Sequence, residues 1–235
     1  MAPVLPPPAP PASTVDEVIA RMNAIDAALP ASDGIACFNR MYLSVTLAVR
    51  DHIEQGTFGD PDFMTRLDVE FANLYFAAVT SLSSAPAAPP AAWKPLLAAR
   101  STPGIEPIQY ALAGMNAHIN HDLPLAVVAA CAGLRTAPEA GSHHADYQLV
   151  DALLAAAEQS VRESFEPPAV VVVDHHVAAV VNLLANWSIT TARDVAWDTT
   201  LALWQVRDFT IAVQLLTGAL ARTVAMASRG LLLAV

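Results

Sequence analysis

The chain has 235 residues, 54% of them hydrophobic and 14% charged, and its 12 Lys and Arg stand against 22 Asp and Glu for a formal net charge of −10. A chain this apolar can bury a large core, which excludes global disorder. With a single lysine, Lys94, and arginines scattered one at a time, it carries no basic patch, so nucleic acid is excluded as the expected partner.

The length suits one domain. A mean hydropathy of +0.42 raises the question of a membrane span. A spanning helix needs roughly 20 uninterrupted apolar residues. The longest apolar runs, Leu123 to Leu134 and Phe209 to Ala221, are each closed by charged residues on both sides and read as buried helices, so no transmembrane segment is expected. Residues 1–13 are proline-rich, lack the basic start and apolar core of a secretory leader, and read as an extended, disordered tail before a helical domain over 14–235. Cys37 and Cys131 lie far apart within apolar helical patterns and read as buried free thiols of a cytoplasmic protein. No Cys-x-x-Cys is present, which excludes a thiolate zinc site.

Punctuation by Pro, Gly and Ser then divides the chain into helical segments. The first runs from Thr14 to Leu29 and opens on a capping box, Thr14-x-x-Glu17. The second runs from Gly34 to Gln55 with Asp33 as its cap, and the third from Asp60 to Ser83 with Pro61 at the first helical position. A loop leads to a short helix from Ala91 to Arg100, and a long helix is predicted from Glu106 to Arg135 with Pro124 inside it. His144 to Phe165 forms the next helix; Ala169 to Trp187, whose AVVVV run is β-branched, is taken as another; Thr190 to Leu233 gives one or two more, with a boundary near Asp208. The consistent 3.6-residue period predicts an all-α bundle.

The segment Ala113-Gly-Met-Asn-Ala-His118-Ile-Asn-His121-Asp122-Leu-Pro124 carries the chemistry. At about 100° per residue, His118, His121 and Asp122 share one stripe with Ala111, Gly114, Met115 and Leu125, while Gln109, Asn116 and Asn120 fall on the other side. A stripe of Ala, Gly and Met normally faces a core. Burying titratable groups there unpaired costs on the order of several kcal/mol. They must therefore meet partners, a metal or a lined cavity, or form a satisfied network that only holds the core. Pro124 cannot donate to the Asn120 carbonyl and bends the helix beside the cluster.

Asp68 lies on an apolar face with Met64, Phe71 and Tyr75, where it either completes the site or pairs with an arginine such as Arg40. Met115, Asn116, Tyr75, Phe71 and Tyr42 are expected to line a substrate pocket. His52 reads as a satisfied core or capping residue, and His143-His144 as a loop pair ahead of a helix. In Asp174-His175-His176 the adjacent rings diverge, so one at most faces a site. Trp197 and Trp204 share a core-facing helix side with Leu201, and Arg193 either pairs with Asp194 or Asp198 or points into the site. There is no Gly-rich phosphate loop, Gly-x-Ser-x-Gly elbow, Rossmann fingerprint or paired Asp-rich motif of isoprenoid-diphosphate enzymes.

Gly114 to Leu123, Phe38-Asn-Arg-Met-Tyr-Leu-x-Val-Thr and Leu67-Asp68-Val-x-Phe-Ala-x-x-Tyr75 together resemble the signature of a family of actinobacterial proteins known as a domain of unknown function. The resemblance spans most of the chain after the proline tail. It implies a helical domain in a bacterial cytoplasm and transfers no catalytic roles.

Two functional expectations result. In the first, the protein is an enzyme of hydrolase, lyase or cyclase type acting on a small, largely apolar metabolite. His118, His121 and Asp122, joined by Asp68, then either bind a divalent metal such as zinc or iron or act as an acid/base set. In the second, it binds a hydrophobic ligand without chemistry and the cluster is structural.

Overall fold

Local capping chemistry starts the helices where the sequence places them. Thr14 Oγ1 accepts the Glu17 N–H at 3.2 Å, and the Glu17 carboxylate reaches back to the Ser13 N–H at 2.7 Å, opening α1 (Val15–Ala28). Asp33 caps α2 (Gly34–Glu54), its second oxygen held by Arg100 at 2.8 Å. Asp60 and Pro61 open α3 (Pro61–Thr80). A short α4 (Lys94–Ala99) precedes α5 (Pro107–Ala117). Next come α6 (Leu123–Leu134), α7 (His143–Phe165), α8 (Ile189–Val206) and α9 (Thr210–Leu231). The computed structural model describes residues 5, 9–82, 88–165 and 188–234, and no strand occurs among them. The fold is the expected all-α bundle. The segment around Ala169 to Trp187, with Asp174, His175 and His176, lies outside the described residues.

The predicted Glu106–Arg135 helix is a single rod with one defect. Between α5 and α6, His118–Asp122 form a π-turn, in which the Leu123 N–H bonds the His118 carbonyl five residues back. Pro124 follows at once, in the first turn of α6. Its missing N–H means that the α-helical ladder is already broken toward Asn120, so the interruption falls where it costs least. This rod is the centre of the bundle: α5 packs on α2 and α9, and α6 on α3 and α8.

The α2–α5 approach is close and reciprocal. Each helix presents a glycine to a ring of the other, Gly34 to Tyr110 and Gly114 to Phe38. A Cβ on Gly114 would sit 2.5 Å from Phe38 Cγ and Cδ2 and 2.7 Å from Phe38 Cβ. Helix propensity alone favours Ala over Gly by about 1 kcal/mol. Overpacking against a ring fixed at its own Cβ costs about 1–3 kcal/mol or more. Gly114→Ala is therefore expected to lower the melting temperature by several degrees, read by thermal denaturation; an unchanged or raised value would show that Phe38 can yield.

On the far side of α3, Asn73 clasps the segment before α1. Its Oδ1 accepts the Ala12 N–H at 2.7 Å and its Nδ2 donates to the Ala12 carbonyl at 2.9 Å. Ala12 is buried, and Arg21 holds the Pro10 carbonyl. Ala12 is thus docked on α3, where one side-chain amide satisfies both polar groups of one peptide residue. Among the described residues one helix, α9, is long and apolar enough to cross a membrane by length and composition. It packs on the rod through Ala221, Val224, Ala225 and Ser228, where Asn116 donates to the Val224 carbonyl at 3.0 Å and to Ser228 Oγ at 2.9 Å.

Candidate functional site

The π-turn gathers three donors onto one buried carboxylate. Asp122 Oδ2 accepts from Trp93 Nε1 at 2.8 Å and from His118 Nδ1 at 3.1 Å; Oδ1 accepts from His121 Nδ1 at 2.7 Å. An indole N–H can only donate, so Oδ2 must accept. Burial would raise the Asp122 pKa, but the bonds from His118 and His121 outweigh it and hold the carboxyl below its usual value. Burial depresses the His118 pKa, against an opposing pull from Asp122. His118 is therefore neutral, with its proton on Nδ1 and a lone pair on Nε2.

Among the described residues that Nε2 is buried without a hydrogen-bond partner. The His118 side chain lines a cavity of about 80 Å³ between α2, α3, the rod, α7 and α8. The ring is fixed by aromatic contacts: stacked on Phe71 with centroids 3.4 Å apart, and edge-on to Tyr42 at 4.4 Å and to Phe38 at 5.6 Å. Two further buried atoms lacking partners belong to residues lining the same cavity, Asp68 Oδ2 and Tyr42 Oη. Burial pushes the Asp68 carboxyl up to about 7. Burial, then the Asp68 and Asp122 charges, push the Tyr42 phenol well above its usual value. The Thr46 hydroxyl, one turn on from Tyr42, donates to the Tyr42 carbonyl at 3.1 Å. The rest of the wall is apolar, from residues such as Met41, Val45, Leu67 and Ile119.

Several expectations are sorted by this geometry. His118, Asp68, Tyr42, Phe71 and Met115 line the cavity. His121 and Asp122 do not; they stand behind His118 and bond to one another. Within the expected trio, both Asp122 oxygens and both Nδ1 atoms are engaged with one another, which leaves the Nε2 atoms outside these bonds. Among the described residues no three His, Cys, Asp or Glu side chains converge as a metal-binding group. Tyr75 and Asn116 are not pocket residues. Tyr75 donates to Asn39 Oδ1 at 3.1 Å, and Asn116 faces α9, because α3 and α5 are buried on more than one side.

Among the described residues Asp68 has no arginine partner, and Arg40 pairs instead with Asp26 at 3.2 Å. Arg193 does line the cavity, but its ion-pair partner is Asp151 on α7, not Asp194 or Asp198, and it also donates to the Tyr147 carbonyl. His52 bonds the Ala48 carbonyl at 3.1 Å, and His143 bridges the Ala137 carbonyl and Asp60. Trp197 is core, stacked on His144 at 4.4 Å. Sequence reasoning missed Trp93, which reaches Asp122 from just before α4. It lies outside any long periodic helix, so no face pattern pointed to it.

A family model described as a family of unknown function (DUF5995) matches residues 15–234. No curated protein and no solved structure matches the chain.

Proposed function

Because the chain belongs to that family of unknown function, we propose its function from the site itself: an enzyme that moves a proton within a small, largely apolar metabolite held in the cavity. His118 Nε2 is the base, Asp122 fixes its tautomer, and Asp68 is the acid. The observation that carries this reading is a set of three buried polar atoms, unpartnered among the described residues, on His118, Asp68 and Tyr42, all of which line one apolar cavity. Each such atom costs about 1–3 kcal/mol when nothing satisfies it. A bound molecule that engages them removes that cost, and polar atoms unoccupied until then are what a reaction requires. His118 backed by a carboxylate is the arrangement of a base whose other nitrogen is held in place.

Both roles need a defined protonation state. His118 must be neutral, which its depressed pKa favours; Asp68 must be protonated, which fails above about 7. Activity is expected to be highest in mildly acidic solution and to fall on an alkaline limb near pH 7. The test is metabolite consumption. Purified protein and His118→Gln are incubated with a pool of small neutral metabolites, and the pool is followed by chiral chromatography with mass spectrometry, which separates the isomers of equal mass that a proton shift produces. A compound converted by the wild type but not by a folded His118→Gln supports the reading. Identical profiles for the two proteins would overturn it and favour ligand binding without chemistry, the reading that the apolar wall also suits.

A further inference from the structure

We infer that the cavity takes a small, uncharged carbonyl compound with an acidic C–H beside the carbonyl, and that Tyr42 is a catalytic residue that donates to the carbonyl oxygen. This rests on the proton-transfer reading above and names its substrate. The three unpartnered atoms differ in what they can offer. His118 Nε2 can only accept, because Asp122 holds the ring proton on Nδ1. Tyr42 Oη is a donor with nothing to donate to. Asp68 in its protonated form is a second donor. The matching ligand therefore presents an acidic hydrogen toward His118 and an acceptor oxygen toward Tyr42 and Asp68. The Tyr42 and His118 rings meet edge-on with centroids 4.4 Å apart, and both residues line the cavity.

Charge and size narrow the class. Arg193 on the wall is already paired with Asp151. An anion would also oppose the Asp68 carboxyl as it ionises. An apolar cavity of about 150 Å³ takes up benzene; the 80 Å³ here suits a reacting end of a few heavy atoms. The step balances without a co-reactant. The proton leaves the carbon beside the carbonyl for His118 Nε2, the C–H electron pair becomes a C=C bond, and the carbonyl π electrons move onto oxygen. Tyr42 and Asp68 donate to that oxygen as its charge develops, in a site with little water to compete. Return of the proton from His118 to the same carbon restores the carbonyl compound, epimerised where that carbon is stereogenic; where the substrate is β,γ-unsaturated, the dienolate takes the proton at its γ carbon instead, and the double bond moves into conjugation.

Butan-2-one, butan-2-ol and butanoate share a carbon chain and differ in the group at issue. Each is incubated with the protein in mildly acidic D₂O and followed by NMR. Deuterium is expected to enter butan-2-one beside its carbonyl, at a rate that Tyr42→Phe lowers about 100-fold and His118→Gln abolishes. Tyr42→Phe removes a hydroxyl that has no partner, so its melting temperature is expected to hold or rise, which separates lost chemistry from lost folding. No exchange by the wild type, or exchange at an unchanged rate in Tyr42→Phe, would overturn this inference. So would binding of butanoate or butan-2-ol as tight as that of butan-2-one. The metabolite-consumption result would be unaffected by any of these; it fails only if His118→Gln behaves as the wild type.

Discussion

Asp122→Asn is expected to lower the melting temperature by on the order of 10 °C and to cut His118-dependent turnover at least 100-fold. The wild-type carboxylate accepts three N–H groups and donates none. An amide has one oxygen and one NH₂ group, so at least one donor meets another donor. Trp93 cannot change which atom carries its proton, so the least costly orientation turns the NH₂ toward His121 and forces that ring into its other tautomer. The bonds that survive are no longer charge-assisted. Each of these is worth about 1.5–3 kcal/mol with a charged partner, and the net loss is about 3 kcal/mol. In a domain of this size that corresponds to about 2–4 °C per kcal/mol. His121→Ala serves as the comparison, since it removes one donor and leaves the His118–Asp122–Trp93 chain whole. Thermal denaturation of both variants checks the prediction; equal, small effects would show that Asp122 is not the hub.

Asp68→Asn is expected to stabilise the protein in alkaline solution and to do little in acid. The folded Asp68 carboxyl titrates near 7 against 3.8 for an unburied one. Between those values the folded chain holds a proton that the unfolded chain has released. Stability therefore declines as pH rises from about 4 to about 7 and stays at the lower level above that. A shift of about three units corresponds to roughly 4 kcal/mol, and the variant recovers much of it because an amide of the same shape carries no charge. Melting curves at pH 5 and pH 8 read the difference: a gain of about 5–10 °C is expected at pH 8 and less than half of that at pH 5, vanishing below about pH 4. A variant no more stable than wild type at pH 8 would show that the ionised carboxylate has a partner. The same change removes the proposed acid, so stability and turnover should move in opposite directions.

The helix starts were readable because their causes are local: Thr14, Asp33 and Pro61 each act within a few residues of themselves. Asp68 and His118 were readable for another reason. A titratable group on an otherwise apolar stripe contradicts its surroundings, and the contradiction is visible without coordinates. The arrangement around them was not readable. Helical angles taken at 100° per residue place His121 and Asp122 beside His118 on one face, but the π-turn redirects them toward each other. Amphipathicity failed for Asn116 and Gln109 because the rod is buried nearly all round, so a polar residue there marks a bond to another helix rather than solvent. Gln109 donates to the Leu231 and Leu233 carbonyls at 2.8 and 2.9 Å, closing the end of α9.

The wide turn also makes chain length in this stretch a fixed quantity. Deleting Asn120, the half-buried residue of the five, would let ordinary helical pairing run through to the proline. Leu123 would then stand four residues after His118 and bond the same carbonyl as an ordinary α-helical step, so α6 would keep its seat. Val127, Ala130 and Cys131 would stay enclosed, but Asp122 would follow His118 by three residues instead of four, and the imidazole would lose the carboxylate that steers it. The surplus residue thus serves to aim one ring, at no cost to the helix beyond it.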